Sequence, residues 1–415
     1  MRRARRGRIL VILAALLLWT PTARAADLWE IVVTNTDGSG IPVLVVGGSS
    51  LPDLLSELVN AQGAFTSFSG AAFSASISFA GIDNVITITV DPSTQTATLT
   101  FTVLGAAAQT FTFTGGDLQG QLEQFLEDNI AEQLTAFINK INTLSLIAVT
   151  DGSPLSTTAR SATYVFERFG LHADLTAWER RQVDGEPFRA GLRGRLDTVY
   201  SNITTDVGNG SSVSLVPSLE WVLSPEVSIA LLVPINYTEI EGADILNVQA
   251  SLAVPIRVIS PSDESPLGLT LTPFGTLAAA GSVDLVSGGL IGGGGLLGTV
   301  NLDFTRVRVS FSSQYSVHEG ITMRYEDFEF DPGVSQQIWK NGIKTTLNVG
   351  ESFYVYGTVT YTQFLKDAAV DTYWTPGAGF GFRSPNGFNL TFGYSGDFDD
   401  GYRSDQVRFT VQLPY

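Results

Sequence analysis

Val227-Ser228-Ile229-Ala230-Leu231-Leu232-Val233-Pro234-Ile235-Asn236-Tyr237-Thr238 and, a few residues on, Leu246-Asn247-Val248-Gln249-Ala250-Ser251-Leu252-Ala253-Val254-Pro255-Ile256-Arg257-Val258 share one pattern. Val227, Ile229, Leu231, Val233, Ile235 and Tyr237 fall on alternate positions, as do Leu246, Val248, Ala250, Leu252, Val254, Ile256 and Val258. Successive side chains of a strand point to opposite faces, so each run has one continuous apolar face and one face that is mostly small or polar. The end of the chain repeats the pattern, with Val407, Phe409, Val411, Leu413 and Tyr415 set against Arg408, Thr410 and Gln412.

Residues 187–415 divide into twelve such segments, and an even number suits a closed antiparallel barrel. The expected strands lie near 187–200, 211–223, 227–238, 245–259, 267–280, 288–302, 306–318, 335–349, 353–364, 373–384, 388–398 and 406–415. Tight turns such as Ser224-Pro225-Glu226 and Gly350-Glu351-Ser352 are expected to alternate with longer polar loops at 201–210, 239–244, 281–287, 319–334, 365–372 and 399–405. Aromatic residues stand near the ends of the apolar faces: Phe188, Tyr200, Trp221, Tyr237, Tyr315, Trp339, Phe353, Trp374 and Phe388. Amphipathic rings favour the headgroup level of a bilayer. A soluble sandwich or lipocalin-like barrel shows equal alternation, with the apolar face as its core. The length of the runs and the Gly, Ser, Thr and Arg of the opposite face favour lipid on the apolar side. The expected fold is an all-β transmembrane antiparallel barrel of about twelve strands, preceded by a small α+β domain.

The run of amphipathic strands and the aromatic end of the last one resemble bacterial outer-membrane β-barrels, whose terminal strand is read by the barrel-insertion machinery. The matching residues are Val407, Phe409, Val411, Leu413 and Tyr415; the departures are a Tyr where Phe is commoner and the adjacent Pro414. The resemblance implies an outer-membrane location, with outer-membrane lipid and the insertion machinery as partners, short turns toward the periplasm and long loops outside. A domain ahead of a twelve-stranded barrel is also similar to autotransporter translocators, although the long β-helix repeats usual in their passengers are missing.

The start of the chain fits export. Arg2, Arg3, Arg5, Arg6 and Arg8, an apolar run from Ile9 to Trp19, and Ala23-Arg24-Ala25 read as a signal peptide over 1–25. Its removal takes six arginines and leaves 18 Lys+Arg against 41 Asp+Glu, a net charge of −23, which disfavours nucleic acid as a partner. The chain has no cysteine, which excludes disulfides and cysteine-held metals. Residues 26–150 hold 12 acids and one base, Lys140. They read as an α+β domain, expected in the periplasm, with helices at 51–58 and 117–141 and strands at Val85–Val90 and Thr98–Val103. Residues 151–186 are left as a linker or a possible extra strand: Thr157 to Arg181 fits a helix or a long strand, and the alternation of Phe169, Leu171, Ala173, Leu175 and Ala177 weakly favours the strand.

By parity, Arg189, Arg193, Arg195, Arg257, Arg306, Arg308, Lys340, Lys344, Arg383 and Arg408 point into the lumen, with Asp197 and Glu220 as the main inward acids. The bilayer faces carry no charge, as expected if Lys or Arg costs ~2–4 kcal/mol at the midplane of such a face. Three uses of this interior stay open. Its cations balance loop acids in a mixed wet lumen, or they set a preference for small anions, or they hold the acidic helix 117–141 as a plug in space left by Gly293, Gly295, Gly377, Gly379 and Gly381. Inward Tyr354, Tyr356 and Tyr373 fill a narrow barrel or form a stacking path for sugars. His172 and His318 lack a nucleophile motif around them, and no residue pattern calls for an enzyme, a metal or a cofactor. The expected function is a channel for small solutes with a modest anion bias; the alternative is a membrane anchor or autotransporter-like translocator that displays or tethers the N-terminal domain.

Overall fold

The computed structural model describes residues 29–35, 44–48, 72–79, 82–91, 93–102, 109–115, 121, 145, 148–171, 191–206, 208–262, 265–282, 287–325, 328–330, 332–384, 388–399 and 401–413. The expected signal peptide, the helix at 51–58, all of the helix at 117–141 except Gln121, and His172, Phe188, Arg189 and Tyr415 lie outside the described residues.

The first sheet is antiparallel and six-stranded: β1 (Trp29–Asn35), β2 (Leu44–Gly48), β3 (Phe73–Phe79), β4 (Ile82–Asp91), β5 (Thr96–Phe101) and β6 (Gln109–Thr114), in the order β2-β1-β3-β4-β5-β6. Alternating Thr and apolar residues on β4 to β6 give it two unlike faces. Ile31, Val33, Ala75, Leu99 and Phe101 are buried, whereas Thr89, Thr110, Thr112 and Thr114 are exposed. Asp91 ends β4 as the sequence suggests, with Oδ1 accepting from Ser93 N at 2.9 Å and Ser93 Oγ at 2.6 Å. The Ser93 hydroxyl, followed by that of Thr94, holds this carboxyl below the usual carboxylate range.

The barrel is built from β7 (Gly191–Thr205), β8 (Gly208–Val222), β9 (Ser228–Leu232), β10 (Ile235–Ile240), β11 (Ala243–Ala253), β12 (Ile256–Ile259), β13 (Leu267–Ser282), β14 (Ser287–Asp303) and β15 (Val307–Ile321). The small hairpin of β16 (Met323–Tyr325) and β17 (Phe328–Phe330) follows. The barrel then continues through β18 (Ser335–Asn348), β19 (Phe353–Phe364), β20 (Thr372–Arg383), β21 (Asn389–Asp399) and β22 (Tyr402–Leu413). β9 with β10, and β11 with β12, are halves of single staves, parted at Pro234 and Pro255, which have no N–H for the ladder. Register is kept across the first break, where Leu232 faces Ser218 and Ile235 faces Leu215. β22 pairs with β7, Val407 opposite Tyr200 and Leu413 opposite Gly194, which closes a ring of twelve staves.

Burial along each stave is inverted relative to a soluble protein. On β11, Asn247, Gln249 and Ser251 are buried, while Leu246, Val248 and Leu252 face outward. Around the whole ring the outward side carries Leu219, Ile235, Leu277, Ile343, Phe380, Phe392 and many similar residues in exposed positions. Soluble monomers rarely expose an apolar patch beyond a few hundred Å². The soluble-barrel alternative is therefore excluded, and the fold is a transmembrane β-barrel. Tyr200, Tyr237 and Tyr315 mark one edge of the apolar band, since their hydroxyls donate to Asn202 (2.9 Å), Asp244 (2.5 Å) and Gln337 (2.9 Å) just beyond it.

The expected alternation of loop length is not what the ring shows. The stretch 201–210 continues the strands, so that β7 and β8 are separated by two residues, as are β10 and β11 and β21 and β22. Glu241 and Gly242 make one of these turns with φ of +48° and +81°, the pair of left-handed conformations that suits a two-residue hairpin. The two ends of the barrel differ in another way. At the end that holds 223–227, 304–306 and 349–352, exposed Leu223, Phe304 and Val349 carry the apolar band to the turns. At the other end the staves run on past the tyrosines as polar hairpins.

Candidate functional site: the occupied lumen

The segment expected as a linker or an extra strand fills the barrel. Residues 148–171 run through the lumen as a capped α-helix, α1 (Thr157–Val165), followed by a π-helical turn (Phe166–Leu171). Ser156 caps α1 by accepting from Ala159 N at 3.4 Å, and its hydroxyl donates to Ser153 O at 2.6 Å. Helix and turn are buried almost throughout, although Thr157, Thr158, Ala159, Ser161 and Ala162 offer no apolar stripe.

The polar lumen wall explains that composition, because a helix surrounded by hydroxyls and amides must answer them. Asn247 Nδ2 donates to Thr157 Oγ1 at 2.8 Å, and Ser161 Oγ donates to Gln249 Oε1 at 2.9 Å. Gln314 Nε2 reaches Ala162 O at 2.9 Å, Tyr164 OH meets Ser214 Oγ at 3.2 Å, and Arg160 Nη2 donates to Thr238 Oγ1 at 3.0 Å. Lower down, Ser312 Oγ donates to Gly170 O at 3.0 Å. An apolar seam sits at the π-turn, where Val165, Phe166, Phe169 and Leu171 pack on Ala230, Leu232, Ala253, Phe274 and Leu297. Gly342 and Gly170 make the approach possible: a Cβ on Gly342 stands 2.9 Å from Phe166 Cζ, and one on Gly170 stands 3.2 Å from Ser312.

Direction along the lumen follows from the partners. Gly152 accepts from Ala369 N in the connection between β19 and β20, whereas Arg168 reaches Glu220 near the end of β8 that leads into the turn at 223–227. The segment therefore enters at the end with projecting hairpins and leaves at the flush end, where β7 begins. One contiguous buried cluster joins Ile31, Val33, Phe79 and Leu99 of the first sheet through Val149 and Leu155 to Ile203, Ile240, Ile338 and Tyr402 of the barrel. The six-stranded sheet thus lies at the projecting end.

The lumen cations anticipated by parity are engaged rather than arrayed as a ring. Arg195 forks onto Asp197, Nη2 to Oδ1 at 2.7 Å and Nε to Oδ2 at 2.8 Å. Arg408 Nη2 holds Glu167 of the lumen segment at 2.5 Å, and Arg308 pairs with Asp303 across β14 and β15. Lys340 donates to Thr163 Oγ1 at 2.8 Å, while Lys344 and Arg383 lie over the rings of Tyr356 and Tyr354 at 4.6 Å and 4.9 Å. Arg193 and Arg257 border a cavity at the flush end. Arg306 is a correction: it sits exposed in the turn 304–306, because β15 starts at Val307.

The glycines expected to make room for a helix serve wall side chains instead. Tyr354 and Tyr356 lie over Gly381 and Gly379, and His318 lies over Gly293. His318 is fully buried, with Nε2 3.2 Å from Ser316 Oγ. The interface aromatics within the described residues stand on the outer face, with Trp221, Tyr237, Tyr315, Trp339, Phe353 and Trp374 exposed and Tyr200 and Phe388 half-buried. Val407, Phe409 and Leu413 are also exposed there. A cavity of ≈ 70 Å³ remains between α1 and the wall, bordered by Arg160, Glu167, Lys340, Asp397 and Arg408.

Sequence comparison finds no matching protein-family profile and no matching curated protein. Solved structures with a similar fold include the translocator domain of the autotransporter NalP from Neisseria meningitidis, at 14% identity over 59% of this chain and 96% of that one, with a TM-score of 0.38. The β domain of the Bordetella autotransporter BrkA gives 12%, 54%, 100% and 0.40. The NanC porin gives 9%, 52%, 100% and 0.35. The likeness is one of fold alone.

Proposed function

We propose that the barrel is an outer-membrane anchor that carries the domain 26–150 on the cell's outer face, with residues 148–171 as a tether seated in the lumen. The observation that carries this reading is the threading of 148–171 from the projecting end to the flush end, with the first sheet at the projecting end. Loop length does not orient the barrel, and the reading takes the flush end, where the apolar band reaches the turns, as the periplasmic side. The domain is then external, opposite to the periplasmic side expected from the sequence. Export by the signal peptide 1–25 and insertion through the terminal strand are parts of the same proposal. A small-solute channel with anion bias is less well supported, because the tether occupies the lumen and its cations are largely paired within the protein. Protease added to intact cells tests the proposal: loss of β1–β6 without permeabilisation supports display, and loss only after permeabilisation removes it.

A gated channel is the second reading, favoured by the ≈ 70 Å³ cavity beside α1. Frequent full openings of the intact chain in planar bilayers support it; a closed full-length chain that opens only on removal of 145–171 supports the tether.

A further inference from the structure

The first sheet ends on β6, which pairs with β5 on one side and, among the described residues, with no strand on the other. The ladder decides which backbone groups face that open side. Gly115 N donates to Gln95 O at 2.9 Å, and bonded positions alternate along an antiparallel pair, so Gln109, Phe111 and Phe113 turn their N–H and C=O groups to β5. Those of Thr110, Thr112 and Thr114 then point away from the sheet. The direction agrees with Thr114 O, which accepts from the side chain of Gln121 at 3.1 Å. Thr110 and Thr112 are exposed, whereas Thr100 and Thr98, their partners on the doubly flanked β5, are half-buried. An edge of outward N–H and C=O groups recruits another strand unless charge, Pro or a bulge blunts it. Gln109-Thr110-Phe111-Thr112-Phe113-Thr114 has no charge and no Pro, and its register is unbroken from the Thr96–Thr114 pair to the Phe101–Gln109 pair.

We propose that β6 is a self-pairing edge: the β6 strands of two copies of this chain lie antiparallel about a two-fold axis and join their six-stranded sheets into one continuous sheet. The occupant is argued from the strand itself. Thr-Phe-Thr-Phe-Thr reads the same in both directions, so with Thr112 facing its own copy, Phe111 faces Phe113 and Thr110 faces Thr114. Hydroxyl then meets hydroxyl and ring meets ring, as between β5 and β6, where Thr98 faces Thr112 and Leu99 faces Phe111. In this register the outward groups of Thr110, Thr112 and Thr114 are the ones that bond. Phe111 and Phe113 are half-buried within one copy, and the added strand covers more of them. Residues 26–150 hold 12 acids against one base. Two copies therefore repel at long range, and pairing is expected to tighten as salt screens that charge. Copies in one membrane share an orientation, so the pairing does not depend on which side carries the sheet.

The test uses the full chain in dodecyl maltoside micelles, with light scattering after size exclusion giving the protein mass. A dimer that dissociates on dilution and tightens with added salt is expected. The chain has no cysteine, so Thr112→Cys supplies a single thiol. At a bonded antiparallel pair the Cα atoms lie ~5.5 Å apart, within the span of a disulfide, and mild oxidation should give a covalent dimer. Thr98→Cys, one strand further from the axis, should not. Thr112→Glu and Thr112→Lys each set like charges across the axis and should weaken the dimer roughly ten-fold or more. A mixture of T112E and T112K should recover it, which a merely unfolded sheet would not do. A monomer at every concentration and salt overturns the proposal and leaves the edge to a strand of another protein. A dimer unchanged in both T112E and T112K also overturns it, because the contact then lies elsewhere.

Discussion

Lys340 on the barrel wall donates to the hydroxyl of Thr163 on α1 at 2.8 Å, and its ammonium lies 5.8 Å from the Phe166 ring and 5.6 Å from the Tyr373 ring. One wall cation thus grips the lumen segment through a hydrogen bond and an aromatic face at once. Lys340→Met keeps the bulk and removes the donor. Since hydrogen bonds to charged groups contribute about 1.5–3 kcal/mol, the segment should unseat more often. Planar-bilayer recording is expected to show more frequent openings than the wild type, and identical traces would argue against the grip.

Gly342 lets the wall lie close against the segment, beside Phe166 and Leu171. Gly342→Leu overfills that contact, and overpacking typically costs about 1–3 kcal/mol. The segment is expected to shift out, exposing Arg160 and Arg168 to trypsin, while the barrel still migrates as a folded, heat-modifiable band. Continued resistance of both arginines to trypsin would contradict the packing described here.

Glu167 and Arg408 form a cross-lumen pair with side chains only 18% and 12% exposed. Arg408→Met strands the carboxylate, and breaking such a buried pair costs about 3–5 kcal/mol. The double variant E167Q/R408M removes both charges and should recover most of that loss. Thermal unfolding of the single and double variants checks this; equal losses in both would mean that the pair is not coupled.

Leu252 is 53% exposed on the outer face, within the apolar band. Leu252→Arg places a charge against hydrocarbon at about 2–4 kcal/mol if near the midplane, and should lower the folded fraction in lipid vesicles. Thr204→Arg, on the same outward side of β7 but beyond Tyr200, should fold as the wild type does. Equal behaviour of the two variants would remove the boundary drawn at the tyrosines.

The stave pattern was legible because lipid on one side and polar groups on the other force a strict period of two, as along Leu246 to Ala253. The pattern fades where the outward face turns polar as well. Ser201, Asn202, Thr204 and Thr205 read as a loop, yet they continue β7 past the edge of the band. The lumen segment escaped for a related reason. A helix against a polar wall has no apolar stripe, so Thr157 to Ala162, small residues apart from Arg160, offers no helical periodicity. The partnered set Arg160, Glu167 and Arg168, with Gly170 ahead of the barrel and Gly342 within it, is the signal that could have marked the segment. The inward parity of the cations was readable, but their partners were not, since Glu167 lies in that unread segment and Asp303 at the last position of β14.

The way the lumen segment is seated also fixes how the molecule responds to force. Its contacts with the wall, from Thr157–Asn247 at one end to Gly170–Ser312 at the other, are staggered along one axis. Traction on the N-terminal sheet therefore loads them together, in shear, and they do not peel away one at a time. Bonds loaded in parallel share the strain, so the grip outlasts what any single contact could bear, and slack appears only after the whole row has slipped.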